Sequence, residues 1–220
     1  CGDHARLLTH ENIGLQPIAD HHHPFRGDAN LVDCHLHGQG GWLASQQFQL
    51  DAIKAITDLF IGQPTGSSGK TASINLHSPG AFTEVTNEAG VYGNNLKLND
   101  DALLENLRTV QANNGLPGMA VSLDQRYFST EMETGTGKTY VYLRTMMELF
   151  LQYGFSKFVL VVPSVAIREG VKASVGMINP HFKDIYDGNV INYTEYNSKN
   201  LSAVRSFATN NQLELLILNI

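Results

Sequence analysis

The sequence predicts an α/β fold with a parallel sheet, built around a phosphate-binding loop. Three observations carry that prediction. Residues Met132 to Thr139 read Met-Glu-Thr-Gly-Thr-Gly-Lys-Thr, a helical apolar periodicity follows at once, and a continuous apolar run comes after it. Glycines let successive backbone N–H groups converge on one anion, and the following helix adds its positive N-terminal end. In such a loop Lys138 reaches the β- and γ-phosphates of a nucleoside triphosphate, ATP in the simplest case, and the Thr139 hydroxyl sits on Mg²⁺. Thr134, Gly135, Thr136 and Gly137 supply the rest of the cradle. Met132 stands where the general pattern has its first glycine. The departure removes little, because Gly135, Gly137 and their neighbouring amides make most of the cradle. The competing reading is a glycine turn that merely caps a helix.

The elements follow in chain order. Residues 1–44 are rich in histidine, glycine and proline with little periodicity, and read as an irregular leader. Residues 45–220 read as one lobe. Between Ser45 and Gly62, Phe48, Ile53, Ile56, Leu59 and Phe60 make the apolar stripe of an amphipathic helix. Residues 63–122 are a polar insert that opens on Gln-Pro-Thr-Gly-Ser-Ser-Gly. Within it Gly66 to Thr71 superficially repeats a phosphate loop, but lacks an apolar strand before it and an apolar helix after it, so it is expected to be a loop. A helix is predicted from Asp100 to Asn113, with Leu103, Leu104, Leu107 and Val110 inward, Asn99 as N-cap and Gly115 as stop. Tyr127 to Met132 has the β-branched and aromatic content of a short strand. Val141, Leu143, Met146, Met147, Leu149 and Phe150 recur at helical spacing until Tyr153, where Gly154 ends the helix. Phe158 to Val162 is the pattern of a parallel strand buried on both faces. Strand, loop, helix and strand then make a βαβ unit with a right-handed crossover.

Composition bounds the function classes. The chain has 220 residues, 42% hydrophobic and 16% charged, enough for one sizeable core. Its apolar runs fall far short of the roughly 20 residues a membrane span needs, so no membrane association is expected. No signal peptide of the usual form is present. Two cysteines, Cys1 and Cys34, make no disulfide framework, which points to the cytoplasm. A net charge of −6 argues against a wholly basic nucleic-acid clamp while allowing a local basic groove. The chain begins at Cys1 and stops in the apolar run Leu213 to Ile220. A phosphate-loop ATPase needs an acidic motif after such a strand to hold Mg²⁺, so a truncated lobe is expected.

At this point the residues carry a family resemblance. Phe128 to Val171 reads FSTEMETGTGKTYVYLRTMMELFLQYGFSKFVLVVPSVAIREGV, and closely resembles the ATPase-motor (Res) subunit of type III restriction–modification enzymes. Phe48 to Ile53, Phe60 to Pro64, Leu103 to Leu107 and Tyr196 to Leu201 are similar to the same family. The resemblance runs from about Gln46 to Ile220, and METGTGKT with VPSVAIREGV is its most specific part. It implies the first RecA-like lobe of a superfamily 2 helicase motor. It also implies DNA and a methyltransferase (Mod) subunit as partners, and ATP-dependent, site-specific DNA cleavage by an endonuclease domain of the full protein. Gln49 resembles the glutamine that reads adenine in such motors, a role its amide can perform by donating and accepting at once. Against that stands a solvated glutamine on a helix face. Pro163, Ser164 and Arg168 match the segment that touches the DNA backbone. Against that stands a helix capped by Ser164 with Arg168 solvated. Other superfamily 2 helicases, such as a type I restriction motor, and a non-catalytic fragment are the alternatives.

The leader offers a different chemistry. Val32-Asp33-Cys34-His35-Leu36-His37-Gly38 is similar to the metal-binding start of amidohydrolases, but such a site needs further ligands on a closed barrel. His21, His22 and His23 with Cys34, His35 and His37 would hold Zn²⁺ or Ni²⁺ at most loosely. No Ser-His-Asp set sits in a nucleophile-elbow context.

Overall fold

In the computed structural model of the chain, the structure describes residues 6–9, 46–66, 68–72, 91–116, 119–123, 126–197 and 201–220. The metal reading at His21, His22, His23, Cys34, His35 and His37 lies outside them. The elements run β1 (Arg6–Thr9), α1 (Gln47–Thr57) with a 3₁₀ turn at Asp58–Phe60, β2 (Ser68–Ala72), β3 (Val91–Asn94), α2 (Asp100–Asn113) and β4 (Phe128–Glu131). They continue with α3 (Lys138–Tyr153), β5 (Lys157–Val162), α4 (Val165–Ile185), β6 (Asn192–Glu195), α5 (Leu201–Thr209) and β7 (Glu214–Asn219).

The helices begin and end where side-chain chemistry dictates. Asn99 Oδ1 accepts from the Ala102 amide at 2.9 Å, capping α2, and Leu103, Leu107 and Val110 are buried, with Leu104 half-buried. Gly154 closes α3 in the left-handed region at φ 73°. Its amide donates to the Phe150 carbonyl at 2.8 Å and that of Phe155 to Leu149 at 3.3 Å, the paired bonds that satisfy a helix's last carbonyls.

The mixed α/β architecture holds a parallel sheet in the order β5-β7-β6. In register, Phe158 lies beside Leu215 and Leu160 beside Ile217, and these side chains meet Leu143, Met147, Val175 and Phe182 from α3 and α4 in the main core. Two antiparallel pairs stand apart from that sheet, β1 with β4 and β2 with β3.

Four expectations change. β5 is not buried on both faces: Val159 and Val161 are 55% and 52% exposed, because α3 and α4 cover only the Phe158–Leu160–Val162 side. β4 and β5 share no sheet among the described residues, so the parallel crossovers are the later ones, β5–α4–β6 and β6–α5–β7. Gly66 to Thr71 is not a loop throughout, since Ser68–Ala72 forms β2 and pairs with β3. The leader is not wholly irregular either. Arg6–Thr9 pairs with β4, residue for residue from Arg6 opposite Glu131 to Thr9 opposite Phe128.

Two further contacts position the site. α1 lies along α3, with Ala52 and Ile53 packed on Val141 and the Tyr153 hydroxyl donating to the Thr57 carbonyl at 3.2 Å. Phe128 of β4 packs against the cluster of Ala55, Leu59, Leu107 and Val110. No helix among the described residues is long and apolar enough to cross a membrane.

Candidate functional site

The chain turns from β4 into α3 through residues 132–137. Gly135 and Gly137 both take φ +84°, a region that costs a residue with a Cβ about 1–2 kcal/mol. The Thr136 hydroxyl donates to the Glu133 carbonyl at 2.7 Å and closes the turn. The Val141 amide then donates to Gly137 at 3.1 Å, the first bond of α3. Glu133, Thr134, Gly135, Gly137 and Lys138 are exposed, whereas Thr136 and Thr139 are half-buried. A Cβ placed on Gly135 would meet nothing within 4 Å, so the outer side of the loop is open. Burial raises the Tyr142 phenol above its ordinary range, and a hydrogen bond with Thr139 opposes that rise.

Met132, at the position of the usual first glycine, has a packing role. Its half-buried side chain lies against Ala52, Ile53 and Val141, the cluster that seats α1 on α3. A glycine there would leave that cluster open on the loop side.

Gln49 is half-buried and turned toward the loop. Its Nε2 donates to the Thr136 carbonyl at 2.8 Å, and its Oε1 accepts from the Gln46 amide at 3.2 Å. The side chain therefore holds the loop, and a Cβ on Gly137 would fall 2.6 Å from its Nε2. Sequence residues 87 positions apart are joined here.

Pro163, Ser164 and Arg168 lie elsewhere. Ser164 caps α4, its Oγ accepting from the Ile167 amide at 3.3 Å. Arg168 is not solvated: its side chain is 16% exposed and paired with Glu195 at 2.8 Å and Glu169 at 3.3 Å. The other end of α4 meets the head of α3, where His181 Nε2 and the Tyr140 hydroxyl are 3.4 Å apart. Ser164 and His181 are separated by about 26 Å of helix at 1.5 Å per residue. The structure thus brings Gln49 to the loop and leaves the Pro163–Arg168 segment at the opposite end of α4.

A polar cluster escaped the sequence reading. Arg144 Nε donates to the Tyr186 hydroxyl at 2.9 Å and Nη1 to the Tyr140 hydroxyl at 3.1 Å. The Tyr186 hydroxyl donates to Glu148 at 2.6 Å. Burial and that carboxylate hold the Tyr186 phenol well above its ordinary range. Burial, with Arg144 nearby, lowers the His181 imidazole, and Asp184 opposes this. Arg144 and Glu148 at i, i+4 look from sequence like an ordinary surface pair; Tyr186, 42 residues on from Arg144, gives no local signal. Among the described residues no group of three His, Cys, Asp or Glu side chains is placed to hold a metal ion.

A glycine-rich turn heading a helix that packs, with α4, on a parallel sheet is the arrangement of a RecA-like lobe of the helicase type. The family model described as "Type III restriction enzyme, res subunit" matches residues 98–220, and the chain belongs to that family. It is 32% identical over 109 residues to the EcoPI Res subunit of Escherichia phage P1, covering 48% of this chain and 11% of that protein. The EcoP15I Res subunit of Escherichia coli gives the same identity and coverage. The StyLTI Res subunit of Salmonella typhimurium is 48% identical over 66 residues, 29% of this chain and 7% of the relative. The chain therefore spans about a tenth of the length of these relatives.

Proposed function

We propose that the chain is the ATP-binding part of the DNA-translocating restriction subunit of a type III restriction enzyme, with residues 45–220 as its first motor lobe and 63–122 as an insert in it. The observation that carries this reading is the open turn at Gly135 and Gly137, with Lys138 exposed at the head of α3. Amides of residues 134–138 would bind an anion, and the helix end would supply positive potential. Lys138 takes the β- and γ-phosphates. Thr139, which hydrogen-bonds with Tyr142 here, would hold Mg²⁺, and the ion would supply positive charge against the phosphates. Gln49 reads adenine once it exchanges its bond to Thr136 for one to the base. Pro163, Ser164 and Arg168 face the DNA backbone. In the whole protein this lobe works beside a modification (methyltransferase) subunit in the cytoplasm and powers ATP-dependent cleavage of DNA. The relatives' names support restriction as the setting.

The test is a titration of the chain with labelled ATP and Mg²⁺. A charge-assisted contact to phosphate contributes about 1.5–3 kcal/mol, so Lys138→Ala should weaken binding by roughly 10- to 150-fold. Equal affinity of the parent and of Lys138→Ala would show that the loop is a helix cap and nothing more.

A further inference from the structure

Arg168 and Lys172 stand one turn apart on α4 and share one counter-ion from another element. Glu195, the last residue of β6, places Oε1 2.8 Å from Arg168 Nη1 and Oε2 3.0 Å from Lys172 Nζ. Glu169 adds contacts of 3.3 Å to Arg168 and 2.9 Å to Lys172, and Arg168 Nη1 also donates to Asn219 Oδ1 at 2.9 Å. Two cations and two carboxylates leave the set neutral. Glu169 travels with the cations because it belongs to the same helix. Glu195 is held separately, on a strand whose end is fixed by the bond from the Tyr196 amide to the Ile217 carbonyl at 2.8 Å.

We propose that Arg168 and Lys172 form a two-cation subsite for a nucleic-acid backbone phosphate, and that Glu195 keeps it closed by occupying the phosphate's place. A carboxylate and a phosphate present the same pair of anionic oxygens to these donors. Glu195 is itself 36% exposed and its pair with Lys172 is part-exposed, where ion pairs hold weakly, so a polyanion displaces the Glu195 side chain without unfolding β6. In a chain with 15 basic and 21 acidic residues, such a closed pair suppresses adventitious binding to nucleic acid until a strand is delivered. The inference rests on the DNA reading above and adds Lys172 as a contact and Glu195 as its competitor.

The experiment is duplex-DNA binding by the chain, followed by fluorescence anisotropy across a salt series. The slope of log affinity against log salt is about 0.9 for each phosphate engaged. Glu195→Gln should steepen it by about one, for the one phosphate admitted, and tighten binding at low salt by roughly tenfold. Glu105→Gln, the same charge change at an exposed site on α2, should leave the slope alone. Lys172→Gln should have no effect in the parent and should reverse the gain in the Glu195→Gln background. Should Glu195→Gln melt early, the parent comparison still decides, because a slope lowered by Lys172→Gln alone means the subsite is already open. An unchanged or weaker affinity in a well-folded Glu195→Gln also overturns the proposal, since the carboxylate then positions Arg168 for DNA. Failure of every form to bind duplex at any salt removes the DNA reading itself, and this inference with it.

Discussion

Gly137→Ala is the sharpest test of how the loop is held. Two penalties fall on that position. At φ +84° an alanine sits in the left-handed region, at about 1–2 kcal/mol. Its Cβ would also fall 2.6 Å from Gln49 Nε2. That atom is the end of a flexible side chain, so it moves aside and the cost is the lost bond to Thr136, about 0.5–1.5 kcal/mol net. Together these destabilise by about 1.5–3.5 kcal/mol. Gly135→Ala is the control, because Gly135 has the same φ and nothing within 4 Å of its Cβ. Both changes stiffen the unfolded chain alike, so that effect cancels in the comparison. Urea melts should show Gly137→Ala less stable than Gly135→Ala by about 0.5–1.5 kcal/mol. In a Gln49→Ala background the difference should vanish. Equal costs in the parent, or a difference that survives Gln49→Ala, would refute the view that Gln49 holds the loop.

Two other perturbations test the core and the α3–α4 contact. Met147 is fully buried in the main core, so Met147→Ala should cost about 2–5 kcal/mol in a urea melt, and a loss under about 1 kcal/mol would place Met147 outside the core. His181 has its imidazole lowered below 6.5 by burial and Arg144; a depressed folded value means its stabilisation is complete above the unfolded value and is lost as pH falls through the folded one. The parent should therefore lose more Tm than His181→Gln between about pH 7 and pH 5, and parallel curves would show that His181 does not contribute.

What was legible in the sequence was local. Asn99, Gly115 and Gly154 mark helix ends through bonds within a turn of themselves, and the apolar spacing of α3 reports directly which face meets the sheet. The Gly135–Thr139 loop is legible for the same reason, since its shape depends on φ at two glycines. What failed was pairing. Nothing in Arg6–Thr9 or Phe128–Glu131 says that the two align antiparallel, because strand partners are chosen by tertiary packing. The apolar run Phe158 to Val162 could not reveal that helices would cover one side of β5 only. Arg168 was misjudged as a lone solvated residue in one reading because Glu195 and Asn219 are 27 and 51 positions away, beyond any helical spacing.

The Arg144 cluster decides how the two candidate sites relate. Tyr140 directly follows Thr139, so the bonds from Arg144 to Tyr140 and Tyr186 fix the head of α3 on the tail of α4. The guanidinium also lies 5.9 and 6.0 Å from the two ring centroids, near the limit at which a cation is attracted to an aromatic face. The loop, α3 and the end of α4 thus behave as one packed unit. Arg168 and Lys172 belong to the other end, tied instead to β6 and β7 through Glu195 and Asn219. Between them Pro180 interrupts the helix: it has no N–H to give the Gly176 carbonyl, which makes this turn the weakest in α4. Packing offsets that missing bond: Val175, Ile178 and Phe182 hold this stretch in the main core, and Asn179 exchanges hydrogen bonds with the Ile191 carbonyl and amide at 2.9 and 3.0 Å.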